Sequence, residues 1–187
     1  MNYVVLTLCL VNLFFLAVLA RRLRAVGDEL RSRSRRQGPR LSDGVLPRGA
    51  VVSPFATSDI DGLSLDRDSV TASTLVYFVA PGCAPCAELL PAMVDRARTH
   101  PGGRERVLAV VVARNREEAE EYVTELAGVA RIVVEVAGEP RQVLTAFGVR
   151  AFPAAYLLDA GGRVVASGAG NMALAALPRQ VRVHADA

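Results

Sequence analysis

An apolar run at 74–79 (TLVYFV) is cut off by Pro81-Gly82 and followed at once by Cys83-Ala84-Pro85-Cys86 and a stretch of helix formers. This handover constrains the chain more than any other feature. Six β-branched, aromatic and aliphatic residues in succession predict a buried strand. Pro-Gly stops it, and a helix is predicted from 83 to about 100, interrupted at Pro91 because proline has no N–H for the preceding turn. Cys83 then stands at a helix N-terminus, where unsatisfied N–H groups and the positive end of the helix dipole favour a thiolate. Cys86, three residues on, lies one turn away on the same face, within disulfide reach. Cys83 is the accessible, attacking sulfur and Cys86 the more enclosed, resolving one. Together they can accept or donate two electrons through a mixed disulfide.

Other uses of a C-x-x-C pair fit less well. A zinc site needs about four ligands, but the remaining cysteine, Cys9, lies far away in an apolar run, and His100 and His184 stand alone. Haem attachment needs a histidine after the second cysteine, where this chain has Ala87. A peroxidatic cysteine would want a hydroxyl residue three positions before Cys83, and that position is Ala80. Three cysteines are too few to staple a scaffold, and 187 residues suffice for one domain with its own core plus an accessory segment. No metal and no cofactor is expected.

Downstream, strands are predicted at 106–113, 131–136, 154–158 and 163–167, the last two joined by the hairpin turn Asp159-Ala160-Gly161-Gly162. A helix capped by Asn115, with Glu117 and Glu118 in its first turn, is predicted through about Ala127. A short one runs from Pro140 to Phe147 and ends at Gly148, and a last one is expected to begin around Asn171. Gly168-Ala169-Gly170-Asn171-Met172-Ala173 matches the dinucleotide pattern G-x-G-x-x-A, but only 14 residues follow, too few for the rest of that unit; it reads as a loop into the last helix. Strand and helix alternate first and a hairpin follows, so the class is α/β with a mixed sheet.

The N-terminal part is of another kind. Residues 1–20 carry no charged side chain, and the helix they predict, roughly 27–30 Å long, is enough to cross a bilayer core. A cleaved signal peptide would carry its positive charge before the apolar run; here the arginines follow it, at Arg21, Arg22 and Arg24. We therefore expect a transmembrane helix at 1–20, an Arg-rich juxtamembrane linker at 21–45 among anionic headgroups of the lipid bilayer, and a globular domain at 46–187. Residues 21–40 hold eight arginines against Asp28 and Glu29, a balance of +6, whereas the whole chain carries +3. The globule is thus mildly acidic, and with no aromatic residue in the basic stretch, nucleic-acid binding is not expected.

The sequence resembles the thioredoxin-fold, membrane-anchored thiol–disulfide oxidoreductases of the TlpA/ResA/MauD type. The resemblance rests on Ala80-Pro81-Gly82-Cys83-Ala84-Pro85-Cys86, on Pro91 five residues later, on the segment from Phe147-Gly148-Val149-Arg150-Ala151-Phe152-Pro153 to Asp159, on the Asp159–Arg163 turn, and on Pro54-Phe55 and Asp61-Gly62 as an N-terminal hairpin. It covers roughly residues 46–170. It implies a mixed central sheet flanked by helices, with an extra strand–helix unit between Cys86 and Pro153. It also implies catalytic Cys83 and Cys86, structural roles for Pro85 and Pro91, and a cis Pro153 facing the cysteine pair. Gly82, Phe152 and Pro153 would contact substrate, the Phe152 backbone pairing with an incoming cysteine-containing chain. The sequence departs from the pattern in three places. Gly82 stands where the family usually has tryptophan, Tyr77 stands near the position of the thioredoxin buried acid, and Leu89 stands where the ResA branch has glutamate. Glu88, rotated by about 100°, does not replace it, which leaves a proton carrier for Cys86 unassigned.

The function implied is disulfide exchange with cysteine-containing protein substrates, and with a further redox partner that resets the pair. The alternative is a non-catalytic thioredoxin-like module that docks a partner or senses redox state. Charge bias beside the apolar helix places the domain on the cytoplasmic side; the resemblance implies the extracytoplasmic side.

Overall fold

The computed structural model describes residues 44–70 and 73–178. The predicted membrane helix, the linker as far as Asp43 and the tail from 179 lie outside the described residues. No helix among the described residues is long and apolar enough to cross a membrane.

The chain enters through a small antiparallel hairpin, β1 (Ala56–Ser58) and β2 (Ser64–Asp66), and then builds a five-stranded sheet. In chain order come β3 (Thr74–Val79), α1 (Ala84–Arg98), β4 (Val107–Ala113), α2 (Arg116–Leu126), β5 (Arg131–Val136), α3 (Gln142–Ala146), β6 (Ala154–Leu158) and β7 (Val164–Ala169). Across the sheet the order is β5-β4-β3-β6-β7. β3, β4 and β5 are parallel, while β6 and β7 are each antiparallel to the preceding neighbour, giving the expected mixed sheet.

The uninterrupted apolar runs are explained by cover on both faces. Along β3, Leu75, Tyr77 and Val79 point to one side, where Cys86, Met93 and Ala97 of α1 and Tyr122 and Leu126 of α2 meet them. Val76 and Phe78 point to the other, against the hairpin residues Phe55 and Leu65 and Val143 and Phe147 from α3 and its end. An aromatic cluster centres the second layer: Phe147 lies 5.1 Å from Phe78, 5.2 Å from Tyr156 and 6.0 Å from Phe55 between ring centroids. The Tyr156 hydroxyl donates to the Phe147 carbonyl at 2.9 Å and accepts from Leu46 N at 3.2 Å, tying the entering segment to the sheet.

Two buried carboxylates close the β5 edge. Asp59, at the hairpin turn, accepts from Arg131 Nε at 2.8 Å and from the backbone of Leu63 and Asp61. Its carboxylate is fully enclosed and the Arg131 side chain is only 13% exposed. Burial alone would raise the Asp59 pKa; the arginine and the backbone N–H groups outweigh it and hold the pKa below the ordinary value. Glu135 accepts from Val143 N at 2.7 Å and Leu144 N at 3.0 Å. It caps α3 in place of Arg141, whose side chain makes no capping bond. Burial raises its pKa despite those two bonds.

Two expectations need correction. α1 runs unbroken through Pro91 from Ala84 to Arg98. The carbonyl that loses its partner to the proline is that of Ala87, and both residues are exposed, so water can take the place of the missing N–H. The helix expected from Asn171 is a 3-10 turn over Gly170–Met172 followed by further turns. Gly170 at φ +59° and Pro178 bound that stretch, and the residue before a proline avoids the helical region, which leaves too few residues for a stable helix.

Candidate active site

Three chain segments meet at one end of the sheet. Cys83 follows the C-terminal end of β3, Pro153 precedes the antiparallel β6 beside it, and the Gly170–Met172 turn follows β7. Cys83 is the N-cap of α1, with extended backbone at φ −89° and ψ 105°, and Pro85 sits in the first turn, where a missing N–H costs nothing. Its sulfur accepts from Cys86 N at 3.3 Å and its carbonyl accepts from Ala87 N at 3.2 Å. Sulfur is thus the capping atom of the helix, where the dipole favours negative charge.

Cys83 and Cys86 are joined as a disulfide, with Cα atoms 5.2 Å apart. Cys83 is half-buried and Cys86 wholly buried, so only the first sulfur is open to a second chain. Cys86 is buried in the core layer that holds Tyr77 and Met93, against which Leu89 packs. Glu88 is exposed.

The Phe152–Pro153 peptide bond is cis. Pro153 is buried and Phe152 half-buried, its ring touching both core layers. Gly170 N donates to the Pro153 carbonyl at 2.8 Å, continuing the β6–β7 ladder by one rung. Gly82 is exposed at φ +76°, and a Cβ built there would meet nothing within 4 Å. The wall of the site before Cys83 is therefore open. Pro91 lies on the exposed side of α1, away from the sulfurs in sequence by more than one turn.

The position expected for a buried acid is filled differently. Tyr77 is wholly enclosed between Ala109 and Ala155, its register partners on β4 and β6, whose small side chains leave room for the ring. Its hydroxyl has no hydrogen-bond partner among the described residues. Burial drives the phenol pKa well above its usual value, against a smaller opposing effect of the Arg96 charge, so the group stays neutral. The buried carboxylates among the described residues, Asp59 and Glu135, serve the β5 edge instead. No group of three or more His, Cys, Asp or Glu side chains among the described residues is placed to hold a metal ion.

Comparison with solved structures settles the architecture. The described domain superposes on the thioredoxin domain of a thiol-disulfide oxidoreductase from Bacteroides vulgatus with a TM-score of 0.52 at 22% identity, covering 67% of this chain and 90% of that one. The chain has the thioredoxin fold. A thio-disulfide isomerase from Thermus thermophilus gives a TM-score of 0.51 at 24% identity over 67% of this chain and 87% of that one. StoA from Bacillus subtilis gives 0.50 at 22% identity over 66% and 92%. No protein-family model matches the sequence, and no curated protein does. Between Cys86 and Pro153 the chain holds two strand–helix units, β4 with α2 and β5 with α3, and β5 lies at the sheet edge. Nothing in the local sequence pattern places the Gly170–Met172 turn beside Pro153, where Gly170 N donates to the Pro153 carbonyl.

Proposed function

We propose that this protein is a membrane-tethered thiol–disulfide oxidoreductase that exchanges disulfides with cysteine-containing protein substrates through Cys83 and Cys86. One observation carries the reading: a half-open sulfur caps a helix, is bonded to a buried partner one turn on, and shares the end of the sheet with the Phe152–Pro153 segment. A substrate thiolate attacks Cys83 Sγ, forming a mixed disulfide between Cys83 and the substrate and breaking the bond to Cys86, which leaves as a thiolate. The substrate's second thiolate then attacks the substrate sulfur of that mixed disulfide, forming the substrate's disulfide and releasing the Cys83 thiolate. The substrate loses two electrons and two protons, and the protein gains them as two thiols; run backwards, the same steps reduce a substrate disulfide. Phe152 offers its backbone to the incoming chain as a short added strand, and Gly82 leaves the approach to Cys83 open. Pro85 and Pro91 shape the helix that presents the sulfur.

The tether is the apolar run 1–20, and the Arg-rich flank after it favours a cytoplasmic domain by the positive-inside rule. A second redox protein resets the pair after each exchange. Trapping tests the assignment of the two sulfurs. In the reducing direction the Cys83 thiolate attacks a substrate disulfide and Cys86 resolves the resulting bond, so Cys86→Ser should accumulate mixed disulfides with substrate and Cys83→Ser should accumulate none. Equal trapping by both variants would sink the assignment.

A further inference from the structure

Four large apolar side chains among the described residues are exposed: Val51, Ile60, Leu63 and Met172. The first three lie before or at the tip of the β1–β2 hairpin. Met172 alone belongs to the end of the sheet that carries Cys83, and it is 64% exposed. Its place is fixed from two sides. Gly170, which opens its turn, donates to the carbonyl of Pro153. Behind it the turn is pressed against β7: a Cβ on Gly168 would lie 2.9 Å from the Met172 carbonyl and 2.6 Å from Ala176 Cβ, so only glycine fits there. Ala173 and Leu177, which follow Met172, are buried in the same layer as Cys86. The backbone is anchored and the thioether points away from the core.

The rim of the site is therefore unequal. On the side of β3, beside Cys83, Gly82 has no side chain at all and faces open space. On the side of β7, past Pro153, stands a flexible, polarisable apolar group. We propose that Met172 selects the substrate segment, taking an apolar side chain two or three positions from the substrate's reactive cysteine. The spacing follows from the sheet. β3 and β7 are separated by two strand intervals, about 10 Å, and an extended chain covers that distance in about three residues. This inference rests on the exchange reading above and deepens it by naming the substrate feature that is recognised.

Two synthetic peptide disulfides, identical except for Leu or Ser three positions from the cysteine, provide the probe, reduced by the full-length protein with dithiothreitol as electron source. The unaltered protein should prefer the Leu peptide in kcat/KM. Met172→Ala should cost that peptide about tenfold, as loss of one apolar contact does, and bring the two rates together. Met172→Leu should restore the preference. An unchanged preference in Met172→Ala would overturn this inference alone. Turnover of neither peptide by the unaltered protein would overturn the exchange reading and this inference with it.

Discussion

Replacing Tyr77 by phenylalanine should stabilise the protein. The ring is wholly enclosed and its hydroxyl finds no partner among the described residues. A buried polar group without a hydrogen bond costs about 1–3 kcal/mol, which the substitution removes while every carbon of the ring stays in place. The space vacated by one oxygen subtracts only a few tenths of a kcal/mol at roughly 24 cal/mol per Å³. The net gain is about 1–2 kcal/mol, worth roughly 3–8 °C in Tm for a domain of this size. The ring is held between its strand partners Ala109 and Ala155 rather than by the Cys83–Cys86 bond, so the gain should appear with that bond intact and with it reduced. Urea unfolding of both states, compared with the unaltered protein, measures it. A loss of 0.5 kcal/mol or more in either state would refute the reasoning, because it would mean the hydroxyl is hydrogen-bonded in the folded protein.

Asp59→Asn should destabilise by about 3 kcal/mol in the same assay, since it leaves the Arg131 charge, itself nearly enclosed, without its counter-ion. The pKa of Asp59 is held below 3.8, so its stabilisation is present above that pH and is lost as pH falls through the lowered value. The variant should therefore show a shallower acid transition at the low end. His100, buried at the end of α1 with Nε2 2.6 Å from the Ser73 carbonyl, acts at higher pH. Burial lowers its pKa below 6.5 against that hydrogen bond, with help from the Arg96 and Arg106 charges; its stabilisation is complete above pH 6.5 and lost as pH falls. His100→Asn should flatten stability between pH 7 and 5, and an unchanged slope would remove the histidine from the account.

Patterns confined to neighbouring residues were legible in the sequence. The bounds of β3, β5 and β6 follow from their apolar runs, and Asn115, whose side chain accepts from Glu118 N at 2.9 Å, stands where the start of α2 was expected. The cysteine pair announces itself through the strand, the Pro-Gly break and the helix in succession. What escaped depends on partners far apart in the chain. Asp59 meets Arg131 across 72 residues, and Glu135 is kept in a buried strand by backbone N–H groups of a helix that begins seven positions later. Neither pairing leaves a periodic trace. The unbroken course of α1 through Pro91 depends on Ala87 facing water, which is decided by how the helix lies on the sheet. Met172 looks like any apolar residue of a terminal helix until the turn holding it is seen bonded to Pro153.

Turnover tests the central claim most directly. The full-length protein should accelerate the reduction of insulin by dithiothreitol, and Cys83→Ser should abolish that acceleration although the variant remains folded. A reversible Cys83–Cys86 bond without any acceleration over dithiothreitol alone would contradict the account and leave a redox-sensing module in place of an enzyme.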